Sequence, residues 1–129
     1  MNKQINILIA EAQPIFREGL RKLLESVVEF RVVGVVADGE AALKSIYESK
    51  PDIAVLCMRL PRKDGLHVAR TIFARSMRVE VIFLTMEKSE SCFNAALDFG
   101  VKGYVMKDTA TSDLVDAVNA VNRGDFYIS

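Results

Sequence analysis

Five side chains able to do chemistry stand at or just behind the ends of short apolar runs. Glu11 follows Ile5–Ala10, Cys57 ends Ile53–Cys57 with Arg59 two residues on, Thr85 follows residues 79–84, and Lys107 follows Gly103–Met106. Brought together, they suit two chemistries. Glu11 offers oxygen to a hard cation, but it stands alone beside Ala12, whose methyl group ligates nothing, and Cys57 is a soft donor, so Mg²⁺ should bind poorly. Cys57 becomes an oxidisable thiol if Lys107 and Arg59 lower its pKa.

Other site chemistries lack their residues. The stretch Glu11-Ala12-Gln13-Pro14 has no glycine, so no phosphate-cradling loop follows the first apolar run. Cys57 and Cys92 have no Cys, His or carboxylate neighbours at ligand spacing, and nothing warrants a pairing between them. His67, the only histidine, has neither triad nor ligand cluster around it and is expected at the surface. No enzyme site assembles, and no cofactor or metal is expected.

The elements that must position these residues alternate regularly. The β-branched run Ile5–Ala10 reads as a buried strand. Pro14 suits a first helical turn, and Leu20, Leu23, Leu24 and Val27 fall on one helical face, so the first helix should end between Ser26 and Glu29. Residues 31–36 form the second strand. Asp38 caps a second helix with Leu43, Ile46 and Tyr47 inward, stopping before Pro51. Ile53–Cys57 is apolar throughout, as in a central parallel strand covered on both faces, and residues 59–65 form a turn-rich loop.

A third helical stripe of Leu66, Ala69, Ile72 and Phe73 follows, then a strand over 79–84. A fourth helix should point Phe93, Ala96 and Leu97 inward and stop at Gly100. The last unit is the strand Gly103–Met106 and a helix facing inward through Leu114, Ala117, Val118 and Val121, capped by Thr109 or Thr111 and stopped by Gly124. Five βα units predict an α/β fold: a doubly wound parallel five-stranded sheet with right-handed crossovers, one domain over 1–129. Ligands of such sheets bind beyond the carboxyl ends of the strands, where Glu11, Ala12, Cys57, Arg59, Thr85 and Lys107 fall. Asp52, five residues before Cys57, should lie roughly 16 Å away toward the amino ends, as a strand-start cap or surface charge. Asp64 and Asp108 are expected to be solvated.

Composition narrows the class. The 129 residues are 50% hydrophobic, with 17 basic and 17 acidic side chains, which suits one folded domain rather than disorder. No apolar run approaches the about 20 residues of a membrane span, and no export signal opens the sequence. A cytoplasmic protein with two reduced cysteines is expected. Zero net charge predicts no direct grip on nucleic acid by this domain.

Several motifs together resemble the receiver domain of two-component response regulators of the NarL/FixJ type, over essentially the whole chain. They are Ile7-Leu8-Ile9-Ala10-Glu11, Pro14 with Phe16-Arg17-Glu18-Gly19-Leu20, Ala37-Asp38-Gly39-Glu40-Ala41-Ala42, Arg59-Leu60-Pro61 before Asp64-Gly65, Leu84-Thr85-Met86 and Gly103-Tyr104-Val105-Met106-Lys107-Asp108. The resemblance implies a flavodoxin-like, CheY-like (βα)5 sheet of order 2-1-3-4-5. It also implies phosphoryl transfer from a phosphohistidine to an aspartate ending strand three, with a divalent cation held by that aspartate and an acidic pair after strand one. This sequence departs at both places: the second acidic position is Ala12 and the acceptor position is Cys57. A family site of three carboxylates and one lysine sums to −2, whereas Glu11 and Lys107 sum to zero.

Thr85 and Lys107 match the residues that bond the phosphoryl oxygens, and Tyr104 matches the aromatic switch that moves inward with the threonine. The plain expectation is that Lys107 pairs with Glu11, Thr85 bonds locally and Tyr104 packs. The function this implies is an atypical, phosphorylation-independent receiver acting through a homodimer or another protein partner, regulating an attached or partner transcriptional output domain. Alternatives are a redox or small-ligand sensor using the pocket around Cys57, and a phosphorelay receiver with an unusual or engineered acceptor. Residues 124–129 resemble the stretch that precedes a linker and a helix-turn-helix DNA-binding domain in NarL-type regulators, and neither lies within this sequence.

Overall fold

A computed structural model describes residues 4–86 and 89–129. The elements run β1 (Ile5–Ala10), α1 (Pro14–Glu25), β2 (Phe30–Val36), α2 (Gly39–Ser49), β3 (Ile53–Cys57), α3 (Gly65–Ala74), β4 (Glu80–Thr85), α4 (Glu90–Asp98), β5 (Gly103–Met106), α5 (Ala110–Asn122) and β6 (Tyr127–Ile128). One 3₁₀ turn, Lys107–Thr109, joins β5 to α5. The strands pair in parallel in the order β2-β1-β3-β4-β5-β6.

Alternation along each strand sends successive side chains to opposite faces, and both faces are apolar. Leu8, Ala10, Ala54, Leu56, Val81 and Phe83 meet α2, α3 and α4 on one side. Ile7, Ile9, Val55, Ile82, Leu84 and Val105 meet α1 and α5 on the other. Every residue of β3 is buried, which is why this strand carries no alternating polar positions and why its carboxyl end is held firmly.

Local chemistry sets the helix starts. Asp38 Oδ1 accepts the Ala41 N–H at 2.8 Å, and Asp64 Oδ1 accepts the His67 N–H at 2.8 Å. Asp64 is exposed, as expected, and also fixes the start of α3, tying off a backbone donor that has no partner within the helix. Ser89 does the same for α4 through Cys92 N–H at 3.3 Å. Neither threonine proposed for α5 caps it: Thr109 occupies the position without a capping bond, and its hydroxyl donates to Met106 O instead. Two glycines are required by close approach. A Cβ on Gly39 would lie 1.8 Å from Lys63 O, and one on Gly65 would lie 2.6 Å from Cys57 O, so the loop after β3 folds directly back over the end of that strand.

The structure corrects three inward assignments and adds a strand. Tyr47, Phe73 and Leu97 are 47%, 56% and 39% exposed, because each lies at the margin of its helix stripe rather than over the sheet. The sixth strand, β6, pairs with β5 through Tyr127 N–H to Lys102 O at 2.9 Å and Ser129 N–H to Tyr104 O at 3.0 Å. Ser129 Oγ also accepts the Met106 N–H at 3.1 Å. A two-residue strand has no detectable periodicity, so the sequence alone predicts five strands. Among the described residues no helix is long and apolar enough to cross a membrane.

Candidate functional site

The carboxyl ends of β1, β3 and β4 and the residue after β5 converge on one cavity of about 300 Å³, whose lining includes Glu11, Ala12, Cys57, Arg59, Thr85 and Lys107. The parallel sheet accounts for this convergence: β1, β3, β4 and β5 are adjacent and in register, so residues that directly follow each strand are brought to one edge. Tyr104 is not part of that lining. It faces a neighbouring cleft between α4, β5 and β6.

Glu11 is 1% exposed. Its Oε1 lies 2.6 Å from Lys107 Nζ, and its Oε2 accepts the Gln13 N–H at 2.9 Å. Lys107 is itself only 10% exposed, and its ammonium sits 4.8 Å from the centre of the Phe16 ring. Arg17 holds the chain here from outside, donating to Glu11 O at 3.1 Å and Ala12 O at 3.4 Å. Burial pulls the Lys107 pKa down, but the bond to Glu11 and the neighbouring Cys57 outweigh it and hold the ammonium above its usual range.

Cys57 closes the floor of the cavity and is a free, buried thiol. Burial pushes its pKa up, and the charge of Glu11 adds to that. The Arg59 backbone N–H and Lys107 act the other way without prevailing. The lowering that Lys107 and Arg59 offer the thiol is outweighed by burial and by Glu11, in the direction of the plain buried thiol rather than the activated one. A protonated, buried thiol is a poor nucleophile.

Tyr104 is buried and meets Phe93 of α4 edge to face, with ring centroids 5.2 Å apart and planes at 86°. Burial raises its phenol, Cys92 adds to the rise and the Thr85 side chain opposes it. Thr85 is thus close to the Tyr104 hydroxyl as well as to the cavity. Phe93 is a contact that the sequence reading assigned only to the core.

A hard divalent cation does not fit these residues. It would find one carboxylate already neutralised at 2.6 Å, a methyl group at Ala12 and a protonated sulfur at Cys57, against a preference for several oxygen ligands. Among the described residues no three His, Cys, Asp or Glu side chains are grouped to hold a metal. Asp52 does not substitute: it opens β3 at the far end, where its carboxylate accepts the Asn6 N–H at 2.8 Å.

The family profile described as the response regulator receiver domain matches residues 7–119. The transcriptional regulatory protein DegU of Brevibacillus brevis is 32% identical across 99% of this chain and 56% of its own length. The transcriptional regulatory protein LnrK of Bacillus subtilis is 33% identical across 96% of this chain and 56% of its own. The chain thus spans little more than half the length of these relatives. Among solved structures, the signal receiver domain of the putative response regulator NarL from Mycobacterium tuberculosis is 30% identical. It superposes with a TM-score of 0.90 over 95% of this chain and 98% of that one. The response regulator domain of Thermotoga maritima CheB, at 19% identity over 94% of this chain and 98% of that one and a TM-score of 0.86, attests the fold alone.

Proposed function

This chain belongs to the response regulator receiver domain family, and on that premise we propose that it is a receiver whose phosphoryl-transfer site has given way to an internal ion pair. It signals through protein contacts, as a homodimer or with another protein, and acts on a transcriptional output domain. The observation that carries the reading is Lys107 Nζ at 2.6 Å from Glu11 Oε1 beside the thiol of Cys57. In the family pattern the lysine bonds a phosphoryl oxygen and the acidic residues hold a cation. Here each of the two charges is the other's partner, and neither is left for a phosphate or a metal.

Electrostatics supports this. Phosphoryl transfer needs cations arranged around the developing charge of the transferring oxygens. With Glu11 and Lys107 summing to zero, and Ala12 and Cys57 contributing no charge, the site has nothing to recruit a dication. Tyr104 supports it from the signalling side: the residue at the switch position is buried against Phe93 with Thr85 nearby, the inward arrangement that family receivers adopt on activation. The switch then rests in one state without a phosphate to throw it.

The curated relatives are named as transcriptional regulators, and the match to about half their length leaves the output function to a further domain or partner. Any contact with nucleic acid is assigned to that output, since the receiver itself has no net charge. The redox-sensor alternative is disfavoured by the raised thiol pKa and by Cys57 being 4% exposed.

The test is incubation with acetyl phosphate and Mg²⁺ followed by intact mass measurement, with and without reductant. The expected spectrum is that of the unmodified chain. An added phosphoryl mass overturns the proposal, and an oxidised or adducted Cys57 that reductant reverses transfers support to the sensor.

A further inference from the structure

We propose that the end of the sheet opposite Glu11 is a docking site for an acidic protein segment carrying one large apolar side chain. The inference does not depend on the reading of the Cys57 cavity. It rests on a separate cleft at the amino ends of β3 and β4, where the last turn of α2 and the loop after α3 meet. That cleft has a volume of about 210 Å³ and is lined by Ile46, Tyr47, Lys50, Met77, Arg78 and Val79. Ile46 and Val79 are buried and Met77 is half-buried, so the floor is apolar and its size suits a single leucine or phenylalanine.

The rim is cationic. Lys50, Arg75 and Arg78 are all exposed, and among the described residues none has a carboxylate within ion-pair distance. Residues 65–79 contain Arg70, Arg75 and Arg78 and no acidic side chain, which is a strong local bias in a chain with equal numbers of acids and bases. The nearest acids of the adjoining strands are committed elsewhere. Asp52 accepts the Asn6 N–H at 2.8 Å, and Glu80 pairs with Lys102 at 2.9 Å. Glu48, exposed on the last turn of α2, pairs with none of the three cations among the described residues. Counted as formal charges, Lys50, Arg75 and Arg78 against Glu48 and Asp52, with Glu80 offset by Lys102, leave this end with a positive excess of one.

Among the described residues one aromatic, Tyr47, lines the cleft. The Arg75 guanidinium lies 5.6 Å from the Tyr47 ring centre and also donates to the Tyr47 hydroxyl. A tyrosine and an arginine already in contact lose less freedom on binding than two separate side chains, and both types recur among the residues that dominate protein interfaces. A nucleic acid is the poorer occupant. Bases need an open aromatic face to stack on, and one face of Tyr47, the aromatic residue lining the cleft, is taken by Arg75.

The experiment titrates the isotopically labelled chain with a short synthetic peptide of glutamates flanking one leucine, read by amide chemical shifts. Its controls are the same peptide with lysine for glutamate, the same peptide with alanine for leucine, and a DNA duplex. Shifts should concentrate at residues 46–50 and 73–79. Lysine or alanine in the peptide should weaken binding at least fivefold, and R75E with R78E should do the same while R75K with R78K restores it. Both pairs of substitutions lie at the surface, so their folding is checked by unchanged shifts elsewhere. Absence of shifts at these residues, equal binding of the lysine or alanine peptide, insensitivity to R75E with R78E, or tighter binding of the duplex at the same residues would each overturn the proposal.

Discussion

Lys107→Met removes the cation paired with a carboxylate that is 1% exposed. Two unit charges 2.6 Å apart attract by about 6 kcal/mol at the effective dielectric of about 20 that suits protein sites. Much of that is cancelled by the cost of taking both charges out of water. Breaking a buried pair from one side typically costs about 3–5 kcal/mol, because an uncompensated charge is left behind. Glu11 keeps its bond from Gln13 N–H, so the lower end of that range, about 3 kcal/mol, is expected for Lys107→Met. Glu11→Gln should cost about 1.5 kcal/mol, since Lys107, at 10% exposure, lies near enough to water to turn outward.

The double variant, with neither charge, should lie within about 1.5 kcal/mol of the parent, giving a coupling of about 3 kcal/mol in a double-mutant cycle. Urea unfolding of the four proteins at pH 7 measures it, and thermal midpoints should follow by roughly 10 °C for Lys107→Met. The reasoning fails if the double variant costs the sum of the two singles. A pH series adds an independent check. The Lys107 pKa is raised in the folded chain, so the contribution is complete below the unfolded value of about 10.4 and is lost as pH climbs through the folded one. The stability gap between parent and Lys107→Met should therefore close only above about pH 10.5.

Two further outcomes follow from groups described above. Iodoacetamide at pH 7 should modify Cys57 at least tenfold more slowly than it does in the urea-unfolded chain, because burial and Glu11 keep the thiol protonated; peptide mass mapping reads this, and equal rates would contradict it. Asp38→Ala and Asp64→Ala should each lower unfolding stability by about 1 kcal/mol through loss of one helix cap, measured by urea titration, with Asp38→Asn and Asp64→Asn recovering most of it.

The fold was legible because β3 is apolar along its whole length and its neighbours β1 and β4 nearly so, while the helices repeat at 3.6 residues. These two patterns alternate five times, and that alone limits the chain to a doubly wound parallel sheet. The cavity was legible for a related reason: residues that close apolar runs in such a sheet must share one edge, as Glu11, Cys57, Thr85 and Lys107 do. Three features escaped. Strand β6 is too short to carry a period, and its pairing depends on Lys102 and Tyr104 offering free carbonyls at the β5 edge. Tyr47 and Phe73 lie one position off the centre of their stripes, where a helical pattern cannot tell the core from its margin. The direction of the Cys57 pKa depended on how deeply the thiol is buried and on how close Glu11 comes to it, and spacing in a sequence shows neither.

The Glu11–Lys107 pair also makes substitution at this site directional. An aspartate at position 57 alone would set a second carboxylate beside Glu11 with one ammonium between them, at a position where the present side chain is 4% exposed. The first step toward an acidic cluster therefore carries a penalty before any benefit appears. Adding aspartate at position 12 as well only deepens that penalty until a dication is present to absorb the charge. A library of stepwise variants would thus find single changes back toward three carboxylates disfavoured in low-magnesium medium and tolerated when the ion is abundant, so the chain's reachable sequence neighbourhood depends on the salt in which it is selected.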